Sequence, residues 1–180
     1  LQDYYFEHKV QQQKAMEAAL MVIPAVENEL AELTDRKYGL VQPYLMDDAE
    51  VAILGLGSAM DTTRYVVDQL RAEGIKAGLI KVRSFRPFPA EAIVKAVGNC
   101  PVLGIIEKNL TFGAYGGALY EDVKSAFYDA VKKPIIGAYV HGLGGRDTSP
   151  IMIHEIYKGL LKTKEKGMFT KTLNYVGLRE

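Results

Sequence analysis

From residue 41 onward, short apolar runs alternate with segments whose apolar residues recur every three or four positions, and Gly or Pro marks almost every join. No other feature constrains the fold as much. A two-residue period suits a strand, and a 3.6-residue period suits a helix with one buried stripe. Strands that alternate with helices run parallel, because each helix carries the chain back across the sheet. The predicted strands lie at 41–46, 51–54, 79–82, 102–106 and 134–140. Pro43 confines the first to an edge, because proline cannot donate to a ladder. The intervening helices bury Val66, Val67 and Leu70, then Ile93, Val94 and Val97, then Leu119, Val123, Ala126 and Phe127. A last helix, capped by Ser149 with Pro150 at its first position, buries Ile153, Ile156, Tyr157, Leu160 and Leu161. The expected fold is α/β in three layers, a mostly parallel sheet of about five strands covered on both faces.

Residues 1–40 have another character. Ala15, Met16, Ala19, Leu20 and Ile23 form a helical stripe. Pro24 predicts a break into a second helix through Val26, Leu30 and Leu33, closed by Gly39. An α/β domain does not need this helix pair, so it reads as a connector or an arm lying on a neighbouring domain. The expected organisation is a helical arm at 1–40, the α/β domain at 41–167 and an extended tail at 168–180. The chain opens on Leu1 rather than Met and is read as a piece of a longer protein.

Composition removes several function classes. Lys and Arg number 22 against 22 Asp and Glu, and no basic cluster stands out, which disfavours nucleic-acid binding. No apolar run approaches the roughly 20 residues that span a bilayer. Cys100 is the only cysteine. The chain therefore has no internal disulfide, no iron–sulfur cluster of its own and no zinc site built on Cys pairs. A cytoplasmic setting is expected.

The candidate site residues lie in turns that follow strands. Gly55 and Gly57 precede Ser58, which with Asp61 fits a capping box. The third glycine of a dinucleotide fingerprint would fall at Met60, so a tight strand-to-helix turn is the favoured reading. Arg83 and Arg86 follow a strand's end, where a carboxylate, a phosphate or a neighbouring domain is gripped; the interface reading is favoured. Gly116 and Gly117 sit in a glycine-rich turn. Gly144 and Gly145 precede Arg146 and Asp147, and local hydrogen bonding to backbone amides is the favoured role of Asp147. Glu107 and Lys108 are candidates to pair with each other. His141 stands at a strand end as a possible acid–base group, but a structural role is favoured for it, as for His8 and His154. No catalytic residue and no metal constellation emerges.

Three segments in order carry a family resemblance: 80–89 (IKVRSFRPFP), 113–117 (GAYGG) and 141–147 (HGLGGRD). Together they resemble the α subunit of pyruvate:ferredoxin oxidoreductase, in the segment after its thiamine-type domain. The resemblance implies a transketolase C-terminal-like domain with an N-terminal helical arm. It implies a complex that converts pyruvate, coenzyme A and oxidised ferredoxin to acetyl-CoA, CO2 and reduced ferredoxin. Thiamine diphosphate, magnesium and iron–sulfur clusters would belong to other parts of that complex, with none bound by this chain. The partners implied are the other subunits and, through them, ferredoxin; no nucleic acid and no membrane is expected. On this reading the domain packs and positions subunits. A free-standing nucleotide- or anion-binding module, or a domain of another thiamine-dependent 2-oxoacid enzyme, is the alternative.

Overall fold

The computed structural model describes residues 2–179. The chain runs α1 (Tyr5–Thr34), β1 (Val41–Tyr44), β2 (Val51–Leu56), α2 (Ala59–Ala72), β3 (Ala77–Val82) and α3 (Ala90–Val97). It continues through β4 (Val102–Glu107), α4 (Ala118–Ala126), β5 (Ile135–Val140), α5 (Pro150–Lys166) and β6 (Leu173–Tyr175). The six strands form one sheet in the order β1-β3-β2-β4-β5-β6. All neighbours are parallel except β1, which lies antiparallel to β3 at the edge that Pro43 requires.

Layering follows from strand geometry. Successive side chains of a strand point to opposite faces. Ala52 and Leu54 of β2 therefore join a core closed by α3 and α4, while Val51 and Ile53 join one closed by α2 and α5. Helices α2 and α5 pack by the stripes their sequences predict, α2 burying Val66, Val67 and Leu70 and α5 burying Ile153, Ile156 and Leu160. Tyr157 of α5 is fully buried, and its hydroxyl donates to the Gly78 carbonyl at 2.8 Å, pinning α5 to β3. Ser149 caps α5 as expected, its hydroxyl accepting from the Met152 amide.

Several local expectations are revised. The N-terminal arm is one helix of 30 residues, with Pro24 inside it. Proline removes one donor, but strong helix formers such as Ala18, Ala19, Leu20, Ala25, Glu27 and Leu30 carry the helical path through. The helix ends at a left-handed Asp35 whose amide donates to Ala31; Gly39 lies beyond it, in the linker to β1. The capping box at Ser58 does not form. Ser58 already has helical dihedrals and makes no side-chain cap bond, because the chain turns one residue earlier at Gly57, where φ is +73°. Asp61 instead pairs with Lys81 at 2.8 Å.

The segment expected to trail as a tail supplies β6, a sixth strand. Asn174 donates its side-chain amide to the Lys171 carbonyl at 3.0 Å. The Phe169 ring lies edge-on to Tyr139, with centroids 6.4 Å apart, in space that Gly137 leaves open: any Cβ there would overlap the ring. Gly137→Val should therefore release β6 without dissolving the main sheet. Limited proteolysis should then cut within 168–179, and Tm should fall by roughly 3 °C, the shift of an about 1 kcal/mol loss in a chain near this size. An unchanged digestion pattern would count against this packing.

Candidate interaction and ligand site at the carboxyl edge of the sheet

The chain moves outward from β2 in both directions, first to β3 and then to β4. That reversal leaves a crevice beyond the carboxyl ends of β2 and β4, the place where open α/β sheets bind ligands. A cleft of about 350 Å³ lies there, between Leu56–Ala59, Phe85, Glu107–Asn109 and Ala118–Leu119. A second cleft of about 370 Å³ adjoins it through Ser58, Ala59 and Lys108, with Thr62 and Gly145–Thr148 on its far wall. Parallel strands place the turns after β2, β4 and β5 side by side, although the sequence spreads them over 90 residues.

Glu107 organises the first cleft. It is buried at the end of β4. Its two carboxylate oxygens accept from the Leu119 and Tyr120 amides at 3.0 and 3.2 Å. These are free donors of the first turn of α4, so Glu107 caps that helix from another element and complements its dipole. The glycine pair before α4 makes room: a Cβ on Gly117 would overlap the Glu107 carboxylate, and one on Gly116 would overlap the Tyr120 ring. Burial raises the Glu107 carboxyl above its usual range, while bonds from Leu119, Tyr120, Gly117 and Asn109 pull it the other way. The expected pairing with Lys108 is absent. Neighbouring strand residues face opposite sides, and Lys108 instead runs over Gly142, where any Cβ would sit 2.6 Å from its Cε.

The other candidates separate by role. Gly55 lies inside β2; a Cβ there would come within 2.9 Å of the Ile106 carbonyl, so this glycine serves strand packing. Gly57 and Ser58 line the cleft. Arg83 donates to Gln42 at 2.6 Å and stacks on Tyr38, 4.8 Å from its centroid, which ties down the linker after α1. Arg86 pairs with Asp122 of α4 at 2.7 Å and covers Phe85. Both arginines are thus engaged within the chain. Arg146 donates to the Gly177 carbonyl at 2.6 Å and fastens the β5 turn to the segment after β6. Gly144 and Gly145 adopt positive φ beside it. Asp147 is exposed, and among the described residues no amide donates to its side chain, contrary to the local role expected for it.

His141 is buried, with Nδ1 2.7 Å from the Thr148 hydroxyl. Burial, aided by the Lys108 charge, lowers its pKa and keeps the ring neutral. Its bond to Thr148 is one that a structural role would use. Sequence reasoning passed over the apolar side chains that crown this edge. Phe112 and Tyr115 are 101% and 85% exposed, and Leu143 and Leu178 stand out beside Arg146. Their signal was legible: Phe112 and Tyr115 flank Gly113 in a turn that belongs to no buried stripe.

Comparisons with known proteins agree with this architecture. A family described as pyruvate:ferredoxin oxidoreductase core domain II matches residues 49–153. Pyruvate synthase subunit PorA of Thermotoga maritima is 42% identical over 180 residues, all of this chain and 45% of that protein. Ketoisovalerate oxidoreductase subunit VorA of Pyrococcus horikoshii is 35% identical over 179 residues, 98% of this chain and 45% of that protein. The chain thus spans a little under half the length of these curated relatives. A solved 2-oxoglutarate:ferredoxin oxidoreductase from Magnetococcus marinus superposes with a TM-score of 0.53 at 22% identity, over 71% of this chain and 20% of that one. That likeness concerns the fold.

Glu107→Gln tests the capping geometry. A carboxyl whose folded pKa is raised favours folding most when protonated, so its contribution is full below the ordinary 4.5 and declines as pH rises through the raised value. The wild type should therefore lose stability relative to Glu107→Gln as pH rises from 4.5, measured by denaturant unfolding at several pH values. Parallel curves would contradict the buried carboxylate. Lys108→Met should move the His141 titration, followed by NMR, up towards 6.5.

Proposed function

The chain belongs to the pyruvate:ferredoxin oxidoreductase core domain II family, and on that premise we propose that it is a packing domain of the α subunit of a 2-oxoacid:ferredoxin oxidoreductase. It takes no part in the chemical steps. The complete enzyme converts pyruvate, coenzyme A and oxidised ferredoxin to acetyl-CoA, CO2 and reduced ferredoxin. Pyruvate is preferred over 2-oxoisovalerate because pyruvate synthase subunits of four organisms match this chain at 38–42% identity. A cytoplasmic setting belongs to the same proposal.

The carrying observation is the carboxyl edge of the sheet. There Phe112 and Tyr115 project into solvent from the turn after β4, and Leu143 and Leu178 line a cleft with Arg146 after β5. Aromatic residues and arginine concentrate at the energetic centres of protein interfaces. The glycine turns let another backbone approach closely, and Arg146 is already held in place. This edge docks on the thiamine-binding domains and positions the subunits.

The residues present do not suit the cofactors of such a complex. An iron–sulfur cluster needs thiolates, whereas Cys100 is buried, with its thiol pushed up to about 11 by burial. Among the described residues no group of three or more His, Cys, Asp or Glu converges to hold a metal ion. Thiamine diphosphate with magnesium, and the clusters, belong to other parts of the complex, as does contact with ferredoxin.

The test is a full-length subunit carrying Phe112→Ser and Tyr115→Ser, co-expressed with its partner subunits. The wild type should co-purify as a complex with pyruvate- and coenzyme-A-dependent ferredoxin reduction. The variant should assemble about 30-fold more weakly, the effect of losing about 2 kcal/mol at an interface centre. Normal assembly and turnover in the variant would sink the proposal, and normal assembly with lost turnover would make this edge catalytic.

A further inference from the structure

Helix α1 is 30 residues long and buries none of them. One edge of it rests on the body, where Met16 and Leu20 line a cleft against Arg86–Phe88. Beside that edge runs a second stripe. Val22, Val26, Leu30 and Leu33 are spaced four, four and three residues apart, which places them within roughly 80° of arc at about 100° per residue. All four are exposed. Helices in proteins take most of their stability from burying such a stripe, so this face requires a cover.

Charge describes the cover. Between Lys14 and Arg36 the sequence contains Glu17, Glu27, Glu29, Glu32 and Asp35, with no Lys or Arg. Glu29 and Glu32 lie along one side of the stripe, and among the described residues none of these acids forms an ion pair. No basic side chain occupies the last turn of the helix, where the carbonyl end of the dipole disfavours negative charge. A basic partner offsets both penalties. A second copy of this chain does not, because a two-fold interface sets the same patch against itself and brings the acidic rims together.

We infer that the Val22–Leu33 face of α1 is a docking surface for an apolar patch rimmed by Lys or Arg, supplied by the remainder of the same polypeptide. This rests on the assignment to a longer subunit: the curated relatives carry the segment joined to more than its own length of further chain. A cover on the same polypeptide sits at high effective concentration and shields the stripe before any subunit arrives. The surface is separate from the carboxyl edge.

Thiol accessibility in the isolated full-length subunit tests this. Cys100 is buried and gives little background. Val26→Cys should react with a water-soluble maleimide on the order of 100-fold more slowly than Val131→Cys, a fully exposed control. Adding Glu29→Lys and Glu32→Lys should raise the Val26→Cys rate by about tenfold, since like charges then face the basic rim. Equal rates for the two cysteines would overturn the inference. Protection that appears only on self-association would assign the face to a second copy. Protection that appears only with the other subunits present would assign it to one of them. Both of those outcomes also overturn it. Because no other subunit is needed, slow labelling beside failed assembly would reject the edge proposal alone, and fast labelling beside normal assembly would reject this one alone.

Discussion

Burial of β2 and β4 on both faces is the constraint on which the rest depends. Every residue of β4, and all of β2 up to Gly55, is removed from water. Backbone polar groups taken out of water must be paired, and the β2–β4 and β2–β3 ladders do that on either side of β2. Two helical layers must then close the two faces. The reversal of strand order at β2 follows from this arrangement, and with it the crevice at the carboxyl edge.

Glu107 shows how the frame sets local chemistry. It ends the most buried strand, so its carboxylate has little water to turn to. The first turn of α4 offers unpaired amides within reach, and Gly116 and Gly117 clear the space between. A charged residue at a strand end thus becomes the cap of a helix that begins eleven residues later in the chain. The buried His141, close to Lys108, is held neutral by the same logic of desolvation.

Much of the fold was legible in the sequence. The parallel sheet, the edge position of β1 and the Ser149–Pro150 start of α5 follow from periodicity and capping chemistry, which act over a few residues. Pro24 does not break α1: it costs the helix one donor, and the strong helix formers Ala18, Ala19, Leu20, Ala25 and Glu27 around it favour continuation, although Val22, Ile23 and Val26 beside it do not. Strand β6 was missed because its three residues carry little pattern; it is specified by Gly137, Phe169 and Asn174, which meet only across the sheet. At the candidate site the glycine turns could be found from sequence, but not the division of labour among them.

By itself the sequence determined the layer architecture, the register of each buried stripe and the neutral charge balance that disfavours nucleic acid, since each depends on local spacing or on a sum over residues. The tertiary structure alone decided which turns share the carboxyl edge, that Glu107 faces α4 rather than Lys108, that Arg83 and Arg86 are held within the chain, and that Phe112, Tyr115 and the outer stripe of α1 stay exposed. Those outcomes depend on which distant segments compete for the same buried space. Periodicity along the chain records which residues avoid water, whereas only the packed sheet records what they meet.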